Sequence, residues 1–176
     1  MRDAGMMTAT PTDLFAMLNR LAIAHSSATH APLFTVEQSR ALRGAIPGAH
    51  TKNLFLKDKR GALFLVVALE DAAIDLKTLH HRLDAGRLSF GAADLLREVW
   101  GVEPGSVTPF GAMNDTNGRV TMVLDAAMMR HATLNFHPLV NFMTTSISAH
   151  DLVAFLEATG HAPRIAEIGA SAAFGP

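Results

Sequence analysis

The chain contains no cysteine, which excludes thiol nucleophiles, iron–sulfur clusters, thiolate zinc sites and disulfides. It suits a reducing compartment, and a cytoplasmic location is the expectation. No charge of one sign predominates. With 15 Lys and Arg against 16 Asp and Glu, the chain lacks the broad cationic surface that captures nucleic acid non-specifically, and no DNA partner is expected. Charged residues make up 18% and hydrophobic ones 49%, a balance too apolar for a largely disordered chain. Long apolar runs are missing as well. The longest, Ala62 to Leu69, has eight residues, where a membrane span needs about 20. The opening segment, Met1 to Met7, has no apolar stretch of signal-peptide length, so no membrane partner is expected. At 176 residues the chain fits one compact domain.

Several catalytic signatures are absent too. There is no G-x-G-x-x-G behind a strand, no G-x-x-x-x-G-K-[ST], no H-E-x-x-H and no G-x-S-x-G, which removes dinucleotide binding, nucleotide hydrolysis, zinc proteolysis and the nucleophile elbow as first readings. Nine histidines are present, but neither His80-His81 nor the His131/His137 pair has metal-ligand spacing. No metal and no cofactor are expected.

What is there reads as mixed helices and strands. Thr12-Asp13 precedes a stripe of Leu14, Phe15, Leu18, Leu21 and Ala22, predicting a capped amphipathic helix from Thr12 to Ala24. His25 to His30 is small and polar, an exposed strand or connector whose two histidines read as surface groups. Thr35-Val-Glu-Gln38 has capping-box form ahead of a short helix, Ser39 to Ile46, stopped by Pro47-Gly48. Thr51 to Lys57 and Ala62 to Leu69 flank Asp58-Lys-Arg-Gly61 and predict a β-hairpin. Its second strand, apolar on both faces, belongs in the middle of a sheet. Asp75 to Leu83 and Ala92 to Trp100 predict helices closed by Gly86 and Gly101. The Pro- and Gly-punctuated segment Val102 to Gly111 is a shaped loop, Asn114 to Gly118 a turn, and Arg119 to Leu124 a strand. Short strands at Ala132 to Phe136 and Asn141 to Thr145 and a Ser148-capped helix, Asp151 to Ala158, complete a single α+β domain with a central mixed sheet.

Three places set polar residues where chemistry could use them. Lys52-Asn53 opens an apolar strand, and an amine beside an amide can hold a phosphate or carbonyl oxygen, or simply form a charged strand end. Gly105-Ser-Val-Thr-Pro109 is a loop in which Gly permits close backbone approach to a ligand, or an ordinary turn. His137 sits between Phe136 and Pro138, which would hold its ring towards a pocket or in the core. A scatter of Lys52, Lys57, Lys59, Arg60, Lys77, Arg82 and Arg87 forms a small phosphate-contacting face or a set of solvated positions.

Together, Gly48-Ala-His-Thr-Lys-Asn-Leu-Phe-Leu-Lys-Asp58, the passage through Leu88-Ser-Phe90, the Gly-Val-Glu-Pro-Gly-Ser-Val-Thr-Pro-Phe-Gly stretch at 101–111 and Asn135-Phe-His-Pro138 resemble the YbaK-type aminoacyl-tRNA editing family. The Lys-Asn-Leu-Phe-Leu-Lys-Asp form is most similar to the freestanding deacylases that act in trans on alanine mischarged onto proline tRNA. The resemblance implies an editing domain over residues 8–163, with residues 1–7 and 164–176 as flexible termini. By the same analogy Lys52 and Asn53 hold the CCA end, Gly105, Ser106, Val107, Thr108 and Pro109 form the loop against the aminoacyl group, and His137 lies near the terminal ribose. Lys52, Asn53, Gly105 and His137 are the expected catalytic set, with Arg87 and Arg20 as further tRNA contacts.

The implied function is substrate-assisted, metal-independent hydrolysis of Ala-tRNA(Pro), the partner being the aminoacylated CCA end of tRNA(Pro). A transient encounter with prolyl-tRNA synthetase or elongation factor belongs to the same expectation. Cys-tRNA(Pro) is the nearest alternative substrate. A non-catalytic nucleic-acid-binding module and a small-molecule enzyme with His137 as base are the other readings.

Overall fold

The computed structural model describes residues 7–32 and 36–169. Helix α1 (Pro11–Arg20) opens on a capping box, the Thr10 hydroxyl accepting from Asp13 N at 3.2 Å and the Asp13 carboxylate from Thr10 N at 2.9 Å. The cap is therefore Thr10 rather than Thr12. The helix stops at Arg20, short of the expected Ala24, and Ala22 takes a left-handed φ of 56°. Strand β1 (Ser26–Thr29) and helix α2 (Val36–Arg43) follow. The expected capping residue Thr35 lies outside the described residues.

Strands β2 (Ala49–Asp58) and β3 (Leu63–Leu69) form the predicted hairpin, with Thr51 opposite Leu69 and Lys57 opposite Leu63. Its turn is organised by the buried Asp58 carboxylate, which accepts from the amides of Arg60 and Ala62 at 2.9 Å and of Gly86 at 3.0 Å. Those donors, the Gly86 amide first, hold the Asp58 carboxyl below the usual carboxylate range. Helix α3 (Leu76–Leu83) is capped by Asp75 and ends on Asp84, left-handed at φ 52°, so Gly86 is not its terminator. Strand β4 (Leu88–Phe90), unforeseen in the sequence, pairs with the end of β2. Its three residues are too few for a period-2 pattern.

Helix α4 (Ala93–Trp100) closes on left-handed Gly101 as predicted. Residues Pro104–Ser106 and Pro109–Asn114 are 3-10 turns within the shaped loop. Strands β5 (Val120–Asp125), β6 (Thr133–Phe136) and β7 (Met143–Ser148) lead to helix α5 (Ala149–Ala158), whose cap is Ser148. Arg164–Ala166, expected at the start of a flexible terminus, instead forms strand β8, parallel to β5 from Val123 to Asp125. The Asp125 carboxylate secures the segment by accepting from Ile168 N at 3.1 Å.

The eight strands run in the order β1-β7-β6-β2-β3-β5-β8, with β4 beside β2. Pairs β2–β6, β3–β5 and β5–β8 are parallel and the others antiparallel, an α+β domain with a mixed sheet. Both faces of β3 are covered. Leu63, Leu65 and Val67 join the main core with Leu14, Trp100, Phe110 and Phe155, while Phe64, Val66 and Ala68 face a second layer with Leu79 and Leu83 of α3. This double burial explains the unbroken apolar run.

The main core leaves no room beside Trp100. A Cβ on Gly111 would lie 2.2 Å from Trp100 Cδ1 and Nε1, and the ring is pinned because Nε1 donates to Thr108 O at 2.7 Å. Gly111→Ala is expected to cost about 3 kcal/mol, the upper end for overpacking, and to lower Tm by about 6–12 °C. A thermal melt with Tm within about 2 °C of the parent would refute this packing constraint.

Candidate functional site

Strands β2 and β6 share only two register pairs, Ala49 with Leu134 and His50 with Asn135. Beyond His50 the β6 ladder stops, and β4 takes up the same edge of β2 only from Leu56. A side chain substitutes for the next ladder bond: Thr51 Oγ1 donates to Asn135 O at 2.7 Å. Asn135 is itself held at both ends of its amide, Nδ2 donating to Pro47 O at 3.0 Å and Oδ1 accepting from Ser146 Oγ. Gly48 permits this approach. Its φ is 102°, and a Cβ there would stand 3.0 Å from Asn135 Nδ2 and Thr133 Cγ2.

A cavity of about 70 Å³ opens where the strands separate, lined by Thr51, Asn53, Glu70, His137 and Thr144 among others. That volume holds a few water molecules or a small side chain. Asn53 brings an unmet need, since its Oδ1 is buried without a hydrogen-bond partner among the described residues, and a buried acceptor is normally satisfied. His137 brings a fixed tautomer. Its Nδ1 lies 2.9 Å from Met143 O, so Nδ1 carries the proton and Nε2 is left as an acceptor. Burial lowers the His137 pKa, the Met143 carbonyl opposes the shift, and the charge of His30 adds to the lowering. The ring is neutral at neutral pH.

The loop that carries His137 is strained. Leu139 has φ 70°, costly for a residue with a Cβ, and its side chain is anchored in the main core.

The sequence-predicted residues divide. Asn53 and His137 meet at the cavity. Lys52 lies on the opposite face of β2, with Leu54 and Leu56 of the α3 layer, and its amine donates to Ala72 O. Gly105 is exposed and adjoins Asn141, whose Nδ2 lies 3.5 Å from where a Gly105 Cβ would be, so the 104–106 turn borders the connection carrying His137. Ser106, Thr108 and Pro109 turn inward, Val107 is half-buried, and the Thr108 carbonyl holds Trp100; none of residues 105–109 lines the cavity. Arg20 ends α1 in solvent. Arg87 borders a separate groove with Lys59, His80 and Ser89.

Thr51, Glu70 and Thr144 line the cavity without having been singled out in the sequence. Only Thr51 had a local signal, as the neighbour of Lys52-Asn53. Among the described residues no group of three or more His, Asp or Glu side chains is gathered closely enough to hold a metal ion. No helix among them is long and apolar enough to cross a membrane.

Residues 30–155 match the model of the aminoacyl-tRNA editing domain. The chain is 38% identical over 169 residues to prolyl-tRNA synthetase associated domain-containing protein 1 of Danio rerio, covering 93% of this chain and 92% of that one. It is 33% identical over 156 residues to the prolyl-tRNA editing protein ProX of Acetoanaerobium sticklandii, covering 88% and 95%. In fold it is similar to a solved structure described as a candidate trans-editing enzyme for prolyl tRNA synthetase, with a TM-score of 0.68 at 17% identity, covering 95% of this chain and 99% of that one. The family model spans every element that borders the cavity, from the end of β1 through β7, and with the near full-length relatives it establishes that this chain belongs to the aminoacyl-tRNA editing domain family.

Proposed function

We propose that the chain is a trans-acting deacylase that hydrolyses Ala-tRNA(Pro) to alanine and tRNA(Pro). The observation that carries this reading is the small cavity at the β2–β6 separation, where an unpartnered amide oxygen and a neutral histidine line one wall set within the family-matched segment. In the reaction a water attacks the ester carbonyl, the bond to the ribose 3′-oxygen breaks, and the terminal adenosine recovers its hydroxyl. An aminoacyl ester is labile, so positioning of ester and water supplies much of the rate. The vicinal 2′-hydroxyl activates the water, and His137 Nε2 accepts from a ribose hydroxyl.

Lys52 binds the CCA end from the other side of the strand. Its ammonium spends one of three N–H donors on Ala72 O, leaving two for a phosphate. The Gly105 turn bounds the aminoacyl side. The groove of Lys59, His80 and Arg87 begins where β2 ends, ~17 Å along the strand from Asn53 at about 3.3 Å per residue. That separation suits phosphates of the acceptor stem, and Arg87 is assigned to them.

Selectivity follows from size. A synthetase site built for proline cannot strongly reject alanine, because a missing methylene costs only about 1–3 kcal/mol; a second cavity that admits only small residues can. Deacylation of Ala-, Cys-, Ser- and Pro-tRNA(Pro) by the purified protein is expected to rank alanine first and proline last, with about 10²-fold between them. Lys52→Ala is expected to lose Ala-tRNA hydrolysis with its melting curve retained. Equal cleavage of Pro- and Ala-tRNA would overturn the selectivity. No cleavage of any of the four, with salt-dependent RNA binding instead, would replace the enzyme by a binding module.

A further inference from the structure

His30, read from the sequence as a surface group, stands over the cavity wall. It follows β1, its backbone N–H donating to Phe142 O at 2.9 Å. Its Nδ1 lies 2.8 Å from Ala31 O and its Nε2 lies 2.8 Å from Thr144 Oγ1. A carbonyl only accepts, so Nδ1 carries the ring proton, and in the neutral ring Nε2 must accept from the Thr144 hydroxyl. The hydroxyl proton is thereby turned away from the cavity, and Thr144 presents oxygen lone pairs to it.

We infer that His30 is a positioning residue that keeps Thr144 as a hydrogen-bond acceptor towards the cavity, completing an acceptor-lined subsite for the α-ammonium of the aminoacyl group. The inference rests on the deacylase reading. Two acceptors line the same small space beside the His137 ring: Thr144 Oγ1, and Asn53 Oδ1 with no partner among the described residues. An ammonium offers three N–H donors and no acceptor, which is the complement of that lining.

Protonation of His30 reverses the arrangement. Nε2–H then donates to Thr144 Oγ1, the Thr144 proton swings into the cavity, and a donor faces a donor. The added charge also lies beside His137, the two ring centroids being 6.4 Å apart. Among the described residues, the other titratable groups facing this space are Glu70 and His50 on the β2 and β3 side of the lining. Both are common to every variant compared below, so differences between variants at one pH report His30.

The test uses the full chain and 3′-(L-alanylamino)-3′-deoxyadenosine, an amide analogue of the aminoacyl end, against its N-acetyl form, which has no ammonium. The parent is expected to bind the free amine about tenfold more tightly than the acetylated form, the range of one charged hydrogen bond, with the preference fading once acid protonates the His30 ring. His30→Leu is expected to abolish the preference. His30→Gln, whose amide oxygen can accept from Thr144 and cannot be protonated, is expected to restore it and flatten its pH dependence. In a Thr144→Val background, His30→Leu is expected to do nothing further.

Ring ¹⁵N spectra supply an arm that needs no ligand. They should show the neutral His30 ring protonated on Nδ1 and bare on Nε2, and an Nε2–H tautomer of the neutral ring would overturn the inference. So would an unchanged amine preference in His30→Leu. If the parent cleaves no aminoacyl-tRNA but the analogue series behaves as described, the deacylase reading falls and the ammonium subsite stands.

Discussion

Ala-tRNA(Pro) ending in 2′-deoxyadenosine is expected to bind this protein normally and to be hydrolysed about 10²–10⁴-fold more slowly than the natural substrate, the range of general acid–base assistance. The expectation comes from what the cavity can supply. Its polar side chains are the amides of Asn53 and Asn135, the hydroxyls of Thr51 and Thr144, the neutral His137 ring, His50 and the Glu70 carboxylate. Asn135 is tied at both ends of its amide, His50 Nε2 lies 3.4 Å from Ile46 O, and Glu70 is engaged in an interaction of its own. Thr51 is engaged with Asn135 O, so its hydroxyl is a structural tie. His137 has a free acceptor but, among the described residues, no hydroxyl hydrogen-bonded to it, so it orients rather than activates a protein nucleophile. The substrate's own 2′-oxygen, on the ribose carbon next to the one that bears the ester, is the group assigned to activate the water. Single-turnover deacylation and filter binding on the two substrates separate chemistry from binding. Unchanged turnover would overturn substrate assistance and would direct attention to Thr144, whose hydroxyl contacts His30 Nε2 at 2.8 Å and could be deprotonated by it.

The largest effect on stability is expected at Asp115. Its carboxylate accepts from Arg119 N at 3.0 Å, Val120 N at 2.9 Å and His161 Nε2 at 2.9 Å. The Asp115 and His161 side chains are each 2% exposed. The Thr159 hydroxyl donates to Leu156 O and lies 3.0 Å from His161 Nδ1, so it accepts from that nitrogen and both ring nitrogens act as donors. The ring also stands edge-on to Trp100, with centroids 5.7 Å apart. One carboxylate thus ties the 114–118 turn, the start of β5 and the end of α5 into the main core. Asp115→Ala removes one partner and leaves the others buried, which costs about 3–5 kcal/mol. Tm should fall by about 6–20 °C, while deacylation per folded molecule is unchanged because Asp115 does not line the cavity. Calorimetry that finds Tm within about 2 °C of the parent would refute the account.

Much of the fold was legible in the sequence because its signals are local. The hairpin of β2 and β3 announced itself through alternating and unbroken apolar runs around a Gly-bearing turn, and Gly101 marked the end of α4. The failures have local causes as well. At α3 a left-handed Asp84 ended the helix before the expected glycine. Strands β4 and β8 have three residues each and exist because longer neighbours present open edges to them.

The site divides along the same line. Residue types and their order along Lys52-Asn53 and Asn135-Phe-His-Pro138 determined, by the sequence alone, the family resemblance and two of the groups that line the cavity. Which face of β2 each residue occupies followed from strand alternation, and it separates Asn53 from Lys52. What only the tertiary structure decided was the company these residues keep. His30 reaches Thr144 across 114 positions and Asp115 reaches His161 across 46, pairings set by the sheet order β1-β7-β6-β2 and by the return of α5 onto the core. A hydrogen bond is specified by position and direction in space, and two side chains so far apart in the chain share no local pattern that could foretell it.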